Sequence, residues 1–369
     1  SVREEYMKAM VVRELGGGWV PEEITIAKPQ GNEVLVDIKA SGLCGSDQME
    51  MSTEVQFPPP SVLGHEIAGI VTEIGPNVTN IAVGDHVAAC LVQFCGKCEE
   101  CLSGDVGLCL NPSATERAEG EAPRLTDSDG KALNQGMGLG GFAQQALVHE
   151  NMLVTIPKEM PFPQAAVLGC GVVTGTGAIF NAAQVEQGAT VAIIGAGGVG
   201  LNAISGAVVA GAAKIIVIDL NNETLETAKK FGATHIINSG EQDPVAAVKD
   251  LTGGRGVPYA FDIVGITPTA RQGYDMLAKG GTLYQIGMGG GNLELANLGN
   301  IFDRKAIQGV FMGSGVPKRD IPVLADLYLQ GKLNLDDLVS AEISLSEVNE
   351  GYEKLKDPQV NRVVITSFE

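Results

Sequence analysis

The chain has 369 residues, of which 44% are hydrophobic and 19% charged, and its formal net charge is −19. This length and composition predict about two globular domains, and the acidic balance disfavours nucleic acids and anionic membranes as partners. Its seven cysteines are an odd number, and no basic and then apolar leader opens the chain. We therefore expect a cytoplasmic protein whose clustered thiols bind metal rather than form disulfides.

Short strands separated by turns fill the first part of the chain, as in NEVLVDIKASG, IAGIVTEIG and FAQQALVH. The polar stretch between Leu110 and Gly141 interrupts them, and we expect it to be a surface excursion outside the core. Three further segments carry candidate metal ligands: Cys44 in GLCGSDQ, His65 in VLGHEIAG and Cys170 in VLGCGVVTG. A Cys–His–Cys set leaves one zinc position open, as catalysis requires, although each residue alone could be structural.

Four cysteines follow within residues 94–110, which we call the cysteine loop: Cys95, Cys98, Cys101 and Cys109. Four thiolates can complete a tetrahedral shell around Zn²⁺ with no open position, which makes a structural site. An iron–sulfur cluster uses similar spacing, and a disulfide pair is the simplest alternative. The spacing indicates a metal site without choosing between zinc and iron.

From about Val172 onwards, strands and helices alternate. Six apolar strands, from VAIIG to AIQGVF, are separated by helical patterns such as NETLETAKKFG, for which Asn222 is the expected N-cap. This alternation predicts a doubly wound parallel sheet. The uncharged run from Gln187 to Ala213 is long enough for a membrane span, but its central GAGGVG favours a strand, a turn and a buried helix. A helical stretch, IPVLADLYLQG, and a closing strand, NRVVITSF, follow Val310.

A glycine-rich turn joins the first strand and helix of this part, at Gly195, Gly197, Gly198, Val199 and Gly200. Gly195 would form the tight turn, Gly197 would admit a pyrophosphate, and Gly200 would let helix and strand pack closely. Asp219 ends the second strand, 24 residues after Gly195. Its carboxylate would bind the adenosine ribose and repel a 2′-phosphate, and no arginine lies in 220–222, so we predict NAD rather than NADP. The alternative is a turn that merely requires glycine, with Asp219 as a helix cap.

In this order, GLCGSD, GHE, CGKCEEC…C, GCGVVTG, GAGGVG and Asp219 resemble the zinc-dependent medium-chain alcohol dehydrogenase family over nearly the whole chain. Within it, the motifs look most like those of bacterial aryl- and allylic-alcohol dehydrogenases. The resemblance implies an α/β protein with a GroES-like, β-rich catalytic domain at residues 1–171 and 309–369. It implies an inserted Rossmann NAD-binding domain at residues 172–308, two zinc ions per subunit, and a homodimer or homotetramer.

The resemblance also assigns the metal ligands. Cys44, His65 and Cys170 would bind a catalytic zinc, and the cysteine loop would bind a structural zinc. Glu66 would lie close behind the catalytic metal. Asp47 would hydrogen-bond His65 and fix its tautomer.

The implied reaction is reversible hydride transfer from a small-molecule alcohol to NAD, giving an aldehyde or ketone. Ser46 would take the alcohol proton, and Arg362 would contact the NAD pyrophosphate. Gly45 stands where relatives often carry a phosphate-binding His or Arg, and Met49 stands where many carry a proton-relaying histidine. The apolar residues at 91–92 suggest an apolar substrate.

Three alternatives stay open at this point. The protein could be a nicotinoprotein that keeps NAD bound through turnover, or a thiol-dependent formaldehyde dehydrogenase of the same family. It could also be a catalytically silent nucleotide-binding sensor or a structural protein.

Overall fold

A computed structural model describes residues 5–53 and 56–369. These residues form two compact units. Unit 1 contains the described residues up to Cys170, with Val316–Gly331 and Leu335–Glu369, and unit 2 contains Gly171–Gly315 with Lys332–Asn334. The predicted domain limits, after residues 171 and 308, stay predictions.

The strands are numbered in chain order: β1 Glu5–Val12, β2 Val20–Ile26, β3 Glu33–Gly42, β4 Ser61–Val62, β5 Glu66–Ile74, β6 His86–Ala89, β7 Leu125–Thr126, β8 Asn134–Gln135, β9 Gln145–His149, β10 Leu153–Thr155, β11 Thr190–Ile194, β12 Lys214–Asp219, β13 His235–Asn238, β14 Val257–Asp262, β15 Leu277–Gln285, β16 Ala306–Gly309, β17 Val339–Ser344 and β18 Arg362–Ser367.

The α-helices are α1 Gly45–Thr53, α2 Glu99–Leu102, α3 Phe162–Val167, α4 Val173–Gly177, α5 Gly198–Ala210, α6 Asn222–Phe231, α7 Pro244–Leu251, α8 Thr267–Asp275, α9 Asn297–Asp303, α10 Pro317–Leu329 and α11 Val348–Lys354. A π-helical turn, Leu168–Val172, links α3 to α4.

Unit 1 is built mainly from antiparallel strands. Its described part contains one sheet in the order β7-β2-β1-β4-β8 and another in the order β10-β6-β5-β3-β18-β17, with β9 also paired to β3. β3 is buried along most of its length because it has neighbours on both edges. The end of β3 leads directly into Cys44, so this rigid central strand positions the first candidate ligand.

The segment 111–141 is a surface excursion only in part: residues 118–123 and 128–132 are exposed, as its polar composition indicated, but other residues belong to the core. Leu125, Leu133 and Leu139 are buried, and β7 within this segment pairs with β2. Arg124 is also buried, and its Nε donates to Oε2 of Glu33 at 2.7 Å. Buried charges are tolerated when they are paired and hydrogen-bonded, so a polar sequence can still belong to the core of unit 1.

Unit 2 contains the predicted parallel sheet, in the order β13-β12-β11-β14-β15-β16. The central strands are nearly continuous apolar runs because helices cover both faces of a doubly wound sheet. The N-cap of α6 is Asn221 rather than the predicted Asn222, since the Asn221 side chain accepts from the Thr224 N–H at 3.0 Å. The cap lies one residue earlier because the helix already includes Asn222.

The uncharged run 187–213 is not one long helix. It forms β11, a turn and α5, as its central glycines predicted. Among the described residues, one helical stretch is long and apolar enough to cross a membrane. It is Phe162–Ala183, with a mean hydropathy of 1.5. Its most apolar part is 78% buried inside the protein, and the core helix of a globular protein meets the same criteria.

Candidate active site

Three separate segments of unit 1 bring Cys44, His65 and Cys170 together. Cys44 lies between β3 and α1, His65 immediately precedes β5, and Cys170 lies in the π-helical turn. Their ligand atoms all lie within 4.8 Å of one another, and His65 Nε2 is 3.2 Å from Cys170 Sγ. His65 and Cys170 are buried and Cys44 is partly exposed, so Cys44 is the outermost residue of the cluster.

Asp47 orients the imidazole of His65. Its Oδ2 lies 2.9 Å from His65 Nδ1, and its Oδ1 accepts from the Gly64 N–H at 3.0 Å. This contact favours the proton on Nδ1 and leaves the Nε2 lone pair directed toward Cys170. Two thiols and one imidazole nitrogen with a carboxylate behind it form a donor set that fits a catalytic zinc with one open position.

The cysteine loop gathers its four sulfur atoms within 4.8 Å of one another. Cys98 Sγ and Cys109 Sγ are 4.0 Å apart, about twice a disulfide bond, and all seven cysteines are thiols. Backbone N–H groups point at the sulfurs: Cys95 donates to Cys109 Sγ at 3.2 Å, and Cys98 donates to Cys95 Sγ at 3.3 Å. Such donors stabilise thiolates, which are the form that binds metal.

The pKa values of these thiols show why the loop suits a cation. Hydrogen bonds from the Leu110 and Cys101 backbone lower the pKa of Cys98 to about 6. Burial and the neighbouring sulfur atoms raise the pKa of Cys101 to about 12. Four ionised thiols at this distance repel one another, and a divalent cation removes that repulsion.

The glycine-rich turn of unit 2 has the geometry of a phosphate cradle. Gly195 has a φ of +100°, and a methyl group on Gly200 would lie 2.0 Å from the Gly195 carbonyl oxygen, so packing requires both glycines. A methyl group on Gly197 would meet no atom within 4 Å. Glycine at 197 therefore leaves open space at the N-terminus of α5, which begins with Gly198 and Val199 and attracts anions.

Asp219 is hydrogen-bonded to this turn. Its Oδ2 accepts from the Ala196 N–H at 2.9 Å, and its Oδ1 accepts from the Asn221 N–H at 3.1 Å. The neighbouring Leu220 is 73% exposed and carries no charge. An acidic acceptor beside the cradle, followed by an uncharged Leu220, fits the adenosine ribose of NAD better than the 2′-phosphate of NADP.

Comparison with known proteins finds relatives over nearly the whole chain. Residues 30–158 match the alcohol dehydrogenase GroES-like domain, and residues 198–330 match the zinc-binding dehydrogenase family. The chain is 33% identical to alcohol dehydrogenase class-3 of Cereibacter sphaeroides and 32% identical to S-(hydroxymethyl)glutathione dehydrogenase of Paracoccus denitrificans, covering 97% of this chain and 99% of each relative. The solved structure of benzyl alcohol dehydrogenase from Acinetobacter calcoaceticus is 36% identical, with a TM-score of 0.91 over 98% of this chain and 99% of that one. The chain belongs to the zinc-dependent medium-chain alcohol dehydrogenase family.

Membership confirms the predicted α/β fold, with a GroES-like domain and a Rossmann-like parallel sheet. This alcohol dehydrogenase is an NAD-dependent zinc enzyme that acts on small-molecule alcohols or aldehydes. The catalytically silent alternative is thereby set aside. The roles of individual residues stay predictions, supported by the geometry above.

One feature of the dehydrogenase site was missed by the sequence analysis. The buried Glu66 and Arg362 form a bidentate ion pair. Arg362 Nε is 3.0 Å from Glu66 Oε2, and Arg362 Nη2 is 2.5 Å from Glu66 Oε1. Burial raises the pKa of Glu66, and the Arg362 charge opposes that rise. A methyl group on Gly42 would lie 2.5 Å from Glu66 Oε2, so glycine in β3 leaves room for the carboxylate. The predicted contact of Arg362 with the NAD pyrophosphate stays a prediction.

Ser46 lies in the first turn of α1, beside the donor set. Its Oγ is 3.2 Å from Cys44 Sγ. Gly45 and Met49 are exposed, and neither carries a titratable side chain. Ser46 is therefore the hydroxyl of α1 in contact with a candidate ligand.

Proposed function

We propose that this alcohol dehydrogenase oxidises an apolar alcohol at a catalytic zinc held by Cys44, His65 and Cys170. We further propose that the cysteine loop holds a second, structural zinc, giving two zinc ions per subunit. The observation that carries the proposal is the convergence of the three ligand atoms, with Asp47 fixing the histidine tautomer. Three protein ligands leave the fourth position for substrate.

When bound, zinc supplies a Lewis acid that lowers the pKa of an alcohol hydroxyl, and NAD accepts the hydride. Asp47 holds His65 with Nε2 available for the metal. Ser46 holds the alcohol proton at Oγ, within reach of the donor set. Met49 cannot relay a proton, so Ser46 passes it to water without a histidine in between.

Two observations support an apolar alcohol such as an aryl or allylic alcohol. Leu91 and Val92 precede the cysteine loop, where the family resemblance implies the substrate pocket, and both side chains are apolar. The benzyl alcohol dehydrogenase of Acinetobacter calcoaceticus resembles this chain over 98% of its length, with a TM-score of 0.91. Substrate class is thus inferred from one apolar pair and one structural relative.

A second candidate is the oxidation of formaldehyde as its glutathione adduct, because the Paracoccus denitrificans relative carries that name. An anionic thiol peptide needs available cations. Arg117 and Arg124 of the 111–141 segment both donate to Glu33 and to backbone carbonyl groups. Neither of these two arginines is therefore a free cation for the charged adduct.

The test measures NADH formation with NAD and a panel of benzyl, allylic, short primary and secondary alcohols, and with formaldehyde plus glutathione. We expect the highest kcat/KM for benzyl or allylic alcohols. Activity confined to formaldehyde plus glutathione would establish the second candidate. NAD that stays with the protein through gel filtration would indicate a nicotinoprotein. Elemental analysis should find two zinc ions per subunit and no iron.

The edge of the parallel sheet supports a homodimer. β16 is the outermost strand, and Leu298, Ile301 and Phe302 of the neighbouring α9 are exposed. An open strand edge beside exposed apolar side chains is a surface that a second copy can cover. Light scattering should therefore give a dimer mass. The seven free thiols fit a reducing compartment such as the cytoplasm.

A further inference from the structure

A buried aromatic pair in unit 1 reaches the backbone of a candidate zinc ligand. Trp19, the one tryptophan of the sequence, stacks on Tyr352 with ring centroids 4.6 Å apart and an interplanar angle of 8°. The Tyr352 hydroxyl donates to the Cys44 carbonyl oxygen at 2.8 Å. Both aromatic side chains are almost wholly buried, at 4% and 3% exposure. The hydrogen bond to Cys44 is thus shielded from water.

Asn349 fixes the position of Trp19. Its Oδ1 accepts from the Trp19 N–H at 3.0 Å, and its Nδ2 donates to the Trp19 carbonyl at 2.8 Å. Asn349 and Tyr352 are three residues apart on α11, so they lie on the same face of that helix. Two side chains on one face of α11 therefore hold Trp19: Asn349 binds its backbone, and Tyr352 stacks on its ring.

Phe142 lies between Trp19 and the segment before His65. Phe142 meets Trp19 edge-to-face, with centroids 6.0 Å apart at 82°, and its N–H donates to the Leu63 carbonyl at 2.8 Å. Gly64 has a φ of +96°, and a methyl group there would lie 2.6 Å from the Phe142 nitrogen. We call Trp19, Phe142 and Tyr352 the aromatic cluster. It packs behind the backbone that leads to two of the three candidate ligands.

The Cys44 carbonyl depends on Tyr352. Among the described residues, this carbonyl also accepts from the Asp47 N–H at 3.2 Å, a long bond in the first turn of α1. Cys44 itself lies where β3 ends and α1 begins, so regular secondary structure does not fix its peptide from both sides. The orientation of that peptide sets the direction of the Cys44 Cα–Cβ bond, and hence the position of Sγ.

We propose that Tyr352 is a positioning residue for the catalytic zinc. Its hydroxyl fixes the Cys44 peptide so that Sγ stays within ligand distance of His65 and Cys170, and the Trp19 stack fixes the Tyr352 ring. This inference rests on the proposed function, because it takes Cys44 as a zinc ligand. It follows that zinc occupancy at Cys44 and the fluorescence of Trp19 are coupled through Tyr352.

The experiment follows zinc release from the zinc-loaded protein into an excess of a chromogenic zinc chelator. Cys44→Ser identifies which release phase belongs to the catalytic site. Tyr352→Phe keeps the stacked ring and removes only the hydroxyl. Tyr328→Phe is the matched control, because the Tyr328 hydroxyl also donates within unit 1, to Asp336 Oδ1 at 2.6 Å.

We expect Tyr352→Phe to release the catalytic zinc about three- to tenfold faster, the effect of one lost hydrogen bond that orients a ligand. The cysteine-loop phase and both phases of Tyr328→Phe should keep the wild-type rates. In wild type, Trp19 emission should change in step with release of the catalytic zinc. In Tyr352→Phe that emission change should be smaller, because the hydrogen bond from residue 352 to the Cys44 carbonyl is absent.

Equal acceleration of both phases in Tyr352→Phe would indicate general loosening of the protein and overturn the inference. Unchanged catalytic-site release would overturn it as well. Wild-type protein that holds one zinc, or Cys44→Ser protein that still holds two, would instead overturn the proposed function, and the inference with it.

Discussion

Replacing Arg362 with leucine tests the ion pair behind the catalytic site. Arg362 donates to both carboxylate oxygens of Glu66, at 3.0 and 2.5 Å, and the two residues are 8% and 0% exposed. Arg362→Leu leaves a buried carboxylate without the cation that satisfies it, which costs about 3–5 kcal/mol. For a unit of roughly 200 residues each kcal/mol lowers Tm by about 2–4 °C, so we expect Tm to fall by about 6–20 °C.

The assay is thermal unfolding of the zinc-loaded protein, followed by calorimetry. Lys356→Leu is the control, since Lys356 pairs with Glu353 at 2.9 Å on the exposed surface and its loss should cost at most about 1 kcal/mol. Adding Glu66→Leu to Arg362→Leu should recover most of the lost stability, because both charges are then gone. An Arg362→Leu protein that unfolds within about 1 kcal/mol of wild type would refute the reasoning.

Four further outcomes are expected. Cys98→Ser should lower Tm far more than Cys170→Ser, because a structural zinc contributes folding free energy on the order of 10 kcal/mol. Cys170→Ser should mainly abolish turnover. Equal destabilisation by the two variants would contradict the two roles. Asp219→Gly should reduce the preference for NAD over NADP, measured as the ratio of kcat/KM values, and a wild type that uses both equally would show the assignment to be wrong. Ser46→Ala should lower kcat by about 10²-fold or more, and full activity would remove Ser46 from the mechanism. Burial opposes ionisation of Glu33, but hydrogen bonds from its arginine partners lower its pKa below 4.5. The free energy of unfolding should therefore fall as pH drops below that value, and Glu33→Gln should make it depend less on pH.

Local spacing in the sequence predicted part of the site geometry. The interval from Gly195 to Asp219 predicted the cradle and its acid, and both lie together in the structure. The glycine-rich turn was accessible because a short motif fixes its own backbone geometry. The proximity of Asp47 to His65, which the family resemblance implied, is also present, at 2.9 Å.

Contacts between distant segments carried no such signal. Glu66 and Arg362 are 296 positions apart, and Tyr352 lies 308 positions from Cys44. Neither pair has a spacing that composition or periodicity can detect. Within 111–141, composition predicted exposure correctly for much of the segment. The side chains of Arg117 and Arg124 are nevertheless buried as partners of Glu33, which their polar character did not indicate.

The pairing of β18 with β3 has a consequence for synthesis of the chain on the ribosome. β18 contributes Val364 and Ile365 as partners of Gly42 and Ser41, which lie two and three residues before Cys44. Translation completes residues 171–315 before β18 emerges, so unit 2 can fold while that part of β3 still lacks its neighbour. Until then its backbone groups are an unpaired strand edge, available to other nascent chains. This edge of β3 beside the candidate ligand Cys44 is therefore completed only after unit 2 has been synthesised, and aggregation during expression should originate in unit 1.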